Sequence, residues 1–219
     1  MNKLRIALIS AIYAAFIVVV PDVFINRGAP VLNVHWQEML FMVLAVVFSV
    51  ISGYLGFWPT VGTSEVKGQR LLVWGGFVFL FLYVATCSVC ERLGFLTVNT
   101  GTFRVIGLVI FCLGFIVRLV AIATLGHRHS AFVTLQEDHA IVTTGLYKYI
   151  RHPSYLGVLI ILVGIPLVFS TWLPLFALPG VFIALKWRMD EEEKFLQEKL
   201  GDDYVSYMAK TKRLIPKLY

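Results

Sequence analysis

Charge is what this sequence has least of. Only 15% of its 219 residues are Asp, Glu, Lys or Arg, while 58% are hydrophobic and the mean hydropathy is +0.81. A soluble domain carries about 25% charged and about 45–50% apolar residues, so an ordinary soluble fold is excluded. No GxGxxG follows a strand, and there is neither a P-loop lysine nor an HExxH. Those absences remove Rossmann dinucleotide binding, P-loop phosphate chemistry and the zincin site. Internal repeats and low-complexity tracts are missing too. Cysteine is scarce, with three in all. Cys87 and Cys90 form a CxxC inside an apolar run, with no second pair and no nearby histidine, which reads as structural rather than metal-binding or redox-active.

What is present is a series of apolar runs separated by short, dense polar segments. A spanning helix needs roughly 20 mostly apolar residues. The candidate runs are Ile6–Val20, Met39–Trp58, Leu71–Cys90, Val105–Leu125 and Tyr155–Leu185, the last interrupted at Thr171-Trp172-Leu173-Pro174. That final run is too long for one pass and fits a tight hairpin of two shorter helices. Pro21-Asp22-Val23 is no small-residue cleavage site, so the first run reads as a retained helix rather than a signal peptide. The expectation is therefore an all-α, polytopic membrane bundle of about six transmembrane helices, with five as the fallback count.

Lysine and arginine set the orientation. With a cytosolic N-terminus, fifteen basic residues fall on the cytosolic side and three, Arg27, Arg92 and Arg104, on the other; Arg118 lies within a helix, which completes the nineteen. Polar segment 126–153 and tail 186–219 then share the cytosolic face and flank the hairpin, making a cytosolic pocket. The net charge of +6 suits a basic rim on anionic lipid and calls for no nucleic acid.

Chemistry concentrates in that crown. Four of the five histidines lie between positions 127 and 152. A metal reading would group His127, His129, His139 and His152, but the HxxxH and HxxHH patterns of membrane di-iron enzymes are lacking. A bland reading makes Arg151 and His152 an interface cap, with Tyr147, Tyr149 and Tyr155 as an aromatic belt. A third reading is a pocket for a zwitterionic cofactor, its carboxylate held by amides and rings around 139–155 and its ammonium or ribose held by one or two of Glu191-Glu192-Glu193. Those three acids cannot all face one way on a helix. Pro153 restricts His152 to extended geometry and opens the next helix. Arg118 reads either as a snorkelling side chain or as a counter-ion for a substrate anion or an acidic partner.

The ordered set LGHRHS, DHAIVTTGLYKYIRHPSYLG and RMDEEEKFLQEKLGDDYVSYMAKTKRLIP resembles the isoprenylcysteine carboxyl methyltransferase family and the related phospholipid N-methyltransferases. The likeness covers about residues 105–216. It implies a membrane-embedded methyltransferase using S-adenosyl-L-methionine without a Rossmann domain. It divides the chain into N-terminal membrane helices (1–100) and a methyltransferase core (101–219) comprising the loop, the hairpin and an amphipathic tail. By position, His139, Ala140, Ile141, Val142, Tyr147, His152, Pro153, Ser154 and Tyr155 match the cofactor-contacting motif, and Glu192 matches its acidic contact. Arg188 matches the position associated with the substrate carboxylate, and Arg151 is the motif arginine; these two are the expected catalytic residues. A further polar contact falls on Thr134 or Gln136. This chain has Ser170-Thr171-Trp172-Leu173-Pro174 where the family usually carries an Asn-Pro.

The implied partners are a lipophilic small-molecule or lipidated substrate and membrane lipids. An acceptor carboxylate needs orientation but no general base; a phospholipid amine or a thiol must lose a proton, for which His127 or His129 would serve. A nicotinamide-dependent membrane reductase and a non-enzymatic membrane protein are the readings of other classes.

Overall fold

The computed structural model of the protein describes residues 8–17, 35–55, 69–98, 100–126 and 141–216. Among the described residues there are seven α-helices and no β-strand. They are α1 (Leu8–Ile17), α2 (Trp36–Tyr54), α3 (Gln69–Leu93), α4 (Gly101–Leu125), α5 (Pro153–Val168), α6 (Leu178–Leu200) and α7 (Asp202–Lys210). Short 3-10 turns at Gly145–Lys148 and Leu173–Ala177 lead into α5 and α6. Three segments, Trp36–Tyr54, Trp74–Leu93 and Gly101–Leu125, are long and apolar enough to cross a membrane. Their outward faces carry large exposed apolar side chains such as Val109, Leu113 and Ile116 on α4. In water such faces would be a liability; in lipid they are the expected surface of an integral membrane protein.

The apolar runs thus become helices, and the interruption anticipated at 171–174 is the turn between α5 and α6. At 16 residues α5 extends about 24 Å. The acidic run lies within α6, which continues unbroken from the apolar hairpin arm to Leu200. Gly201, at φ +57, ends it, and α7 follows directly.

The pair α4 and α5 positions everything else. Two glycines on each helix, Gly107 and Gly114 against Gly157 and Gly164, let the backbones almost touch. A Cβ at Gly107 would collide with the Val168 nitrogen, and one at Gly157 would lie 2.8 Å from the Gly114 carbonyl oxygen. Close approach through small residues is how helices associate where lipid offers no hydrophobic drive. Pro166 inside α5 deprives the Leu162 carbonyl of its helical donor. The Tyr83 hydroxyl from α3 donates to that carbonyl at 2.7 Å, so the acceptor freed by the proline keeps a partner.

At the end of the bundle where α5 finishes, Phe41, Phe111 and Phe169 meet edge to face, with centroids 4.8 and 5.6 Å apart. Cys87 and Cys90 are buried there on α3 as free thiols. Arg104, anticipated as a boundary cation, lies in the first turn of α4 and is 2% exposed. Its guanidinium pairs with Glu38 of α2 and Glu91 of α3 and donates to the Val168 carbonyl of α5 at 3.0 Å. A buried cation survives only with such partners.

Candidate active site

The opposite end of the α4–α5 pair carries the polar chemistry. Pro153 occupies the first helical turn of α5, where its missing N–H costs nothing. His152 precedes it at φ −122 and ψ 56, short of the extended geometry expected before a proline. Its carbonyl must turn to accept the first-turn N–H groups of Tyr155 and Leu156, at 3.1 and 3.2 Å.

Tyr155, one turn into α5, is the hub. Its hydroxyl donates to Glu192 Oε2 at 2.8 Å and accepts from Arg188 Nε at 2.7 Å. The Arg188 guanidinium lies over the same ring, 5.9 Å from its centroid. Arg188 and Glu192 are four apart on α6, on one face, so a single helix presents a cation and an anion to one phenol. On the other side of Tyr155 the His152 ring stacks at 5.4 Å and 17°, with Nδ1 4.0 Å from Glu192 Oε2. Burial disfavours the charged Arg188, yet Tyr155 and Glu192 outweigh it and raise its pKa. Burial and the neighbouring Glu192 charge keep the Tyr147 phenol protonated. Arg118, from inside α4, donates to the Ser154 hydroxyl at 2.8 Å and so reaches the start of α5.

The three adjacent glutamates separate as helix geometry demands. Glu191 pairs with Lys194 at the surface, 2.9 Å away. Glu192 joins Tyr155. Glu193 is 2% exposed and gathers two arginines and a histidine ring from two segments, the loop and the tail. Arg151 Nε lies at 2.8 Å and His152 Nε2 at 3.0 Å from its Oε1, and Arg213 Nη2 at 2.7 Å from its Oε2. Burial pushes the Glu193 carboxyl up, but hydrogen bonds from His152, Arg151 and Arg213 win and hold it at about 2.

Arg151, anticipated among the catalytic residues, therefore faces Glu193 and the carbonyls of Met208 and Thr211 at the end of α7. That is the position where a cation offsets the helix dipole. The tail closes over this loop through backbone bonds: Arg151 N–H to Lys212 O at 2.7 Å, His152 N–H to Arg213 O at 2.9 Å and Lys212 N–H to Tyr149 O at 3.1 Å. Tyr207 donates to the Tyr147 carbonyl at 2.8 Å.

Of the sequence-derived site residues, Tyr147, His152, Pro153, Ser154, Tyr155, Arg151, Arg188 and Glu192 come together around the start of α5. Ile141 and Val142 are partly buried. His139 and Ala140 lie outside the described residues, as do His127, His129, Thr134 and Gln136. Glu193 and Arg213 were missed as separate participants. The hint lay in Arg151-His152 needing a buried counter-charge. The one group among the described residues with metal-like spacing is His35, Glu38 and Glu91, at the other end, where Arg104 already pairs with both carboxylates.

Residues 105–198 match the isoprenylcysteine carboxyl methyltransferase family model. Over 189 residues the chain is 28% identical to protein-S-isoprenylcysteine O-methyltransferase B of Arabidopsis thaliana, covering 83% of this chain and 94% of that relative. It is 29% identical over 192 residues to the A form from the same plant, with 82% and 93% covered. It is 35% identical over 142 residues to protein-S-isoprenylcysteine O-methyltransferase of Saccharomyces cerevisiae, with 63% of this chain and 53% of the relative covered. The matched segment runs from within α4, through the loop and hairpin, to the acids of α6, which is the set of elements that builds the Tyr155 hub. Over that segment the chain is similar to the isoprenylcysteine carboxyl methyltransferase family.

Proposed function

We propose that the protein is a membrane-embedded methyltransferase that esterifies the carboxylate of a lipophilic acceptor of the S-isoprenylcysteine type. The observation that carries this reading is the Tyr155 hub, where Arg188 and Glu192 from one helix face, together with His152, converge at the membrane-proximal end of the hairpin. The donor set suits S-adenosylmethionine. Glu192 is partly exposed, so as a carboxylate it accepts from an ammonium or from ribose hydroxyls. When bound, that cofactor supplies an electrophilic methyl group on sulfur.

The residues assigned to it are His139, Ala140, Ile141, Val142, Tyr147, His152, Pro153, Ser154, Tyr155 and Glu192. Arg188 orients the acceptor carboxylate through charge-assisted hydrogen bonds, its Nε edge fixed by Tyr155 so that the fork keeps one direction. A carboxylate arrives ionised at neutral pH, so the site needs no base, only alignment and exclusion of water. Arg151 acts by holding the loop to the tail. In the membrane, α1 and the hairpin arms join the three long spans to make six crossings. The basic segments then place the N-terminus, the loop and the tail on the cytosolic side. The acceptor reaches the site from lipid and the cofactor from water.

The test is isothermal titration of the detergent-solubilised protein with S-adenosylhomocysteine, beside a nicotinamide dinucleotide phosphate control, followed by methyl transfer to a synthetic N-acyl-S-prenylcysteine. Saturable binding of S-adenosylhomocysteine alone and ester formation are expected. Binding of the nicotinamide compound instead would make the protein a reductase and end the proposal.

A further inference from the structure

Glu192 and Glu193 are neighbours with different surroundings, and the buried one raises a question the proposed contacts leave open. Glu193 has Arg151 Nε and His152 Nε2 on one oxygen and Arg213 on the other, at 2.8, 3.0 and 2.7 Å. It is sealed from solvent, so it has no face to offer a ligand. An ionised carboxylate only accepts hydrogen bonds, and the three surrounding donors keep this one ionised. In its contact with His152 the proton therefore sits on Nε2. In a neutral imidazole that leaves Nδ1 as a lone-pair acceptor, because the bond made at one ring nitrogen fixes the state of the other. Nδ1 is the atom that looks toward Glu192 Oε2, 4.0 Å away. Turning the ring over would put a C–H in place of Nε2 against Glu193, so that 3.0 Å hydrogen bond holds its orientation.

We propose that Glu193 is a positioning residue that locks His152 in the Nε2–H form and so presents its Nδ1 lone pair, beside the Glu192 carboxylate, to an ammonium group of the bound donor. The inference rests on the methyl-donor reading of the site and deepens it. An ammonium carries three donors and no acceptor, so a carboxylate oxygen and an imidazole lone pair on one side of the pocket are matched to it. In S-adenosylmethionine the α-amino group is that ammonium. The tail thereby takes part in recognition: Arg213 and the Lys212–Arg213 backbone hold Glu193 and His152 in register, although neither touches the ligand.

The experiment uses the full chain in detergent, labelled with 15N-histidine, with His152→Ala to assign the ring signals. His152 is expected as the Nε2–H tautomer in the wild type, and Glu193→Gln should lose that single state. In titrations Glu193→Gln should bind S-adenosylhomocysteine about 10–100-fold more weakly, the usual scale for groups that orient a ligating histidine. Its affinity for methylthioadenosine, which lacks the amino-acid portion, should be unchanged. A merely structural loss would weaken both compounds together and would overturn the proposal, as would an Nδ1–H tautomer in the wild type. If Glu193→Gln fails to fold, Glu193→Asp and the wild-type ring signals decide the same question. If the wild type binds no S-adenosylhomocysteine, the function proposed above falls, while the tautomer still reports whether Glu193 sets the ring.

Discussion

The two ends of the α4–α5 pair each bury an ion cluster, and the clusters are inverted copies in charge. At one end a single cation, Arg104, is shared by two carboxylates, Glu38 and Glu91. At the other a single carboxylate, Glu193, is shared by Arg151, Arg213 and the His152 ring. The first joins four helices, α2 to α5. The second joins a loop, a helix and a tail, and stands one residue from Glu192, which does face outward. Both satisfy the rule that buried charge must be paired, yet one fastens the bundle and the other aims a site. Pairing alone therefore does not mark function. Its position beside an accessible hub does.

Removing each centre should give unlike results. Arg104→Leu leaves two buried carboxylates and is expected to cost about 3–5 kcal/mol, seen as loss of the folded, monodisperse protein on heating in detergent. Arg104→Leu with Glu38→Leu and Glu91→Leu should recover most of that, since a well-packed apolar replacement of an ion cluster is often neutral. Glu193→Leu should leave the thermal midpoint of the membrane helices close to wild type while loosening the tail. Protease cleavage within 202–216 is expected to rise by roughly 10–100-fold, tracking a charge-assisted hydrogen-bond loss of about 1.5–3 kcal/mol. Equal damage from Arg104→Leu and Glu193→Leu would erase the contrast.

Smaller effects sharpen it. Glu192→Ala should weaken S-adenosylhomocysteine binding by on the order of tenfold with folding intact, whereas Arg188→Lys should raise the KM for the prenylcysteine acceptor and leave cofactor affinity alone. Acid gives the mildest perturbation. The Glu193 pKa falls from an ordinary 4.5 to about 2 on folding. Its contribution is complete above pH 4.5 and is lost as pH drops toward 2. Asp190, lowered by its hydrogen bond from Lys186 and by Arg213, shifts in the same direction. Pepsin digestion between pH 5 and 2 should show the tail released before the helices.

Much of this arrangement was legible in the sequence. Apolar runs gave the helices, Thr171–Pro174 the turn, Pro153 a helix start, and the Arg188–Glu192 spacing a shared face. Contacts that span long stretches of chain were not legible. Nothing local tells Arg104 that its partner is Glu38, 66 positions away, or tells Pro166 that Tyr83 will take the carbonyl it orphans. Which of three consecutive glutamates turns inward depends on the phase of α6 against the loop and tail, a tertiary contact that leaves no local signature. Arg118 was open between two readings because only the packing of α4 on α5 brings Ser154 within its reach.

The tail pairing also orders events during synthesis. Every group that fastens the Arg104 cluster has been made once residue 168 is joined. Arg151 must wait for Thr211, 60 residues later. At about 5–20 residues per second that is a delay of roughly 3–12 seconds. Through that interval the helices can settle in the bilayer while the loop's cations stay hydrated, so anchoring precedes the closing of residues 211–213 over the loop.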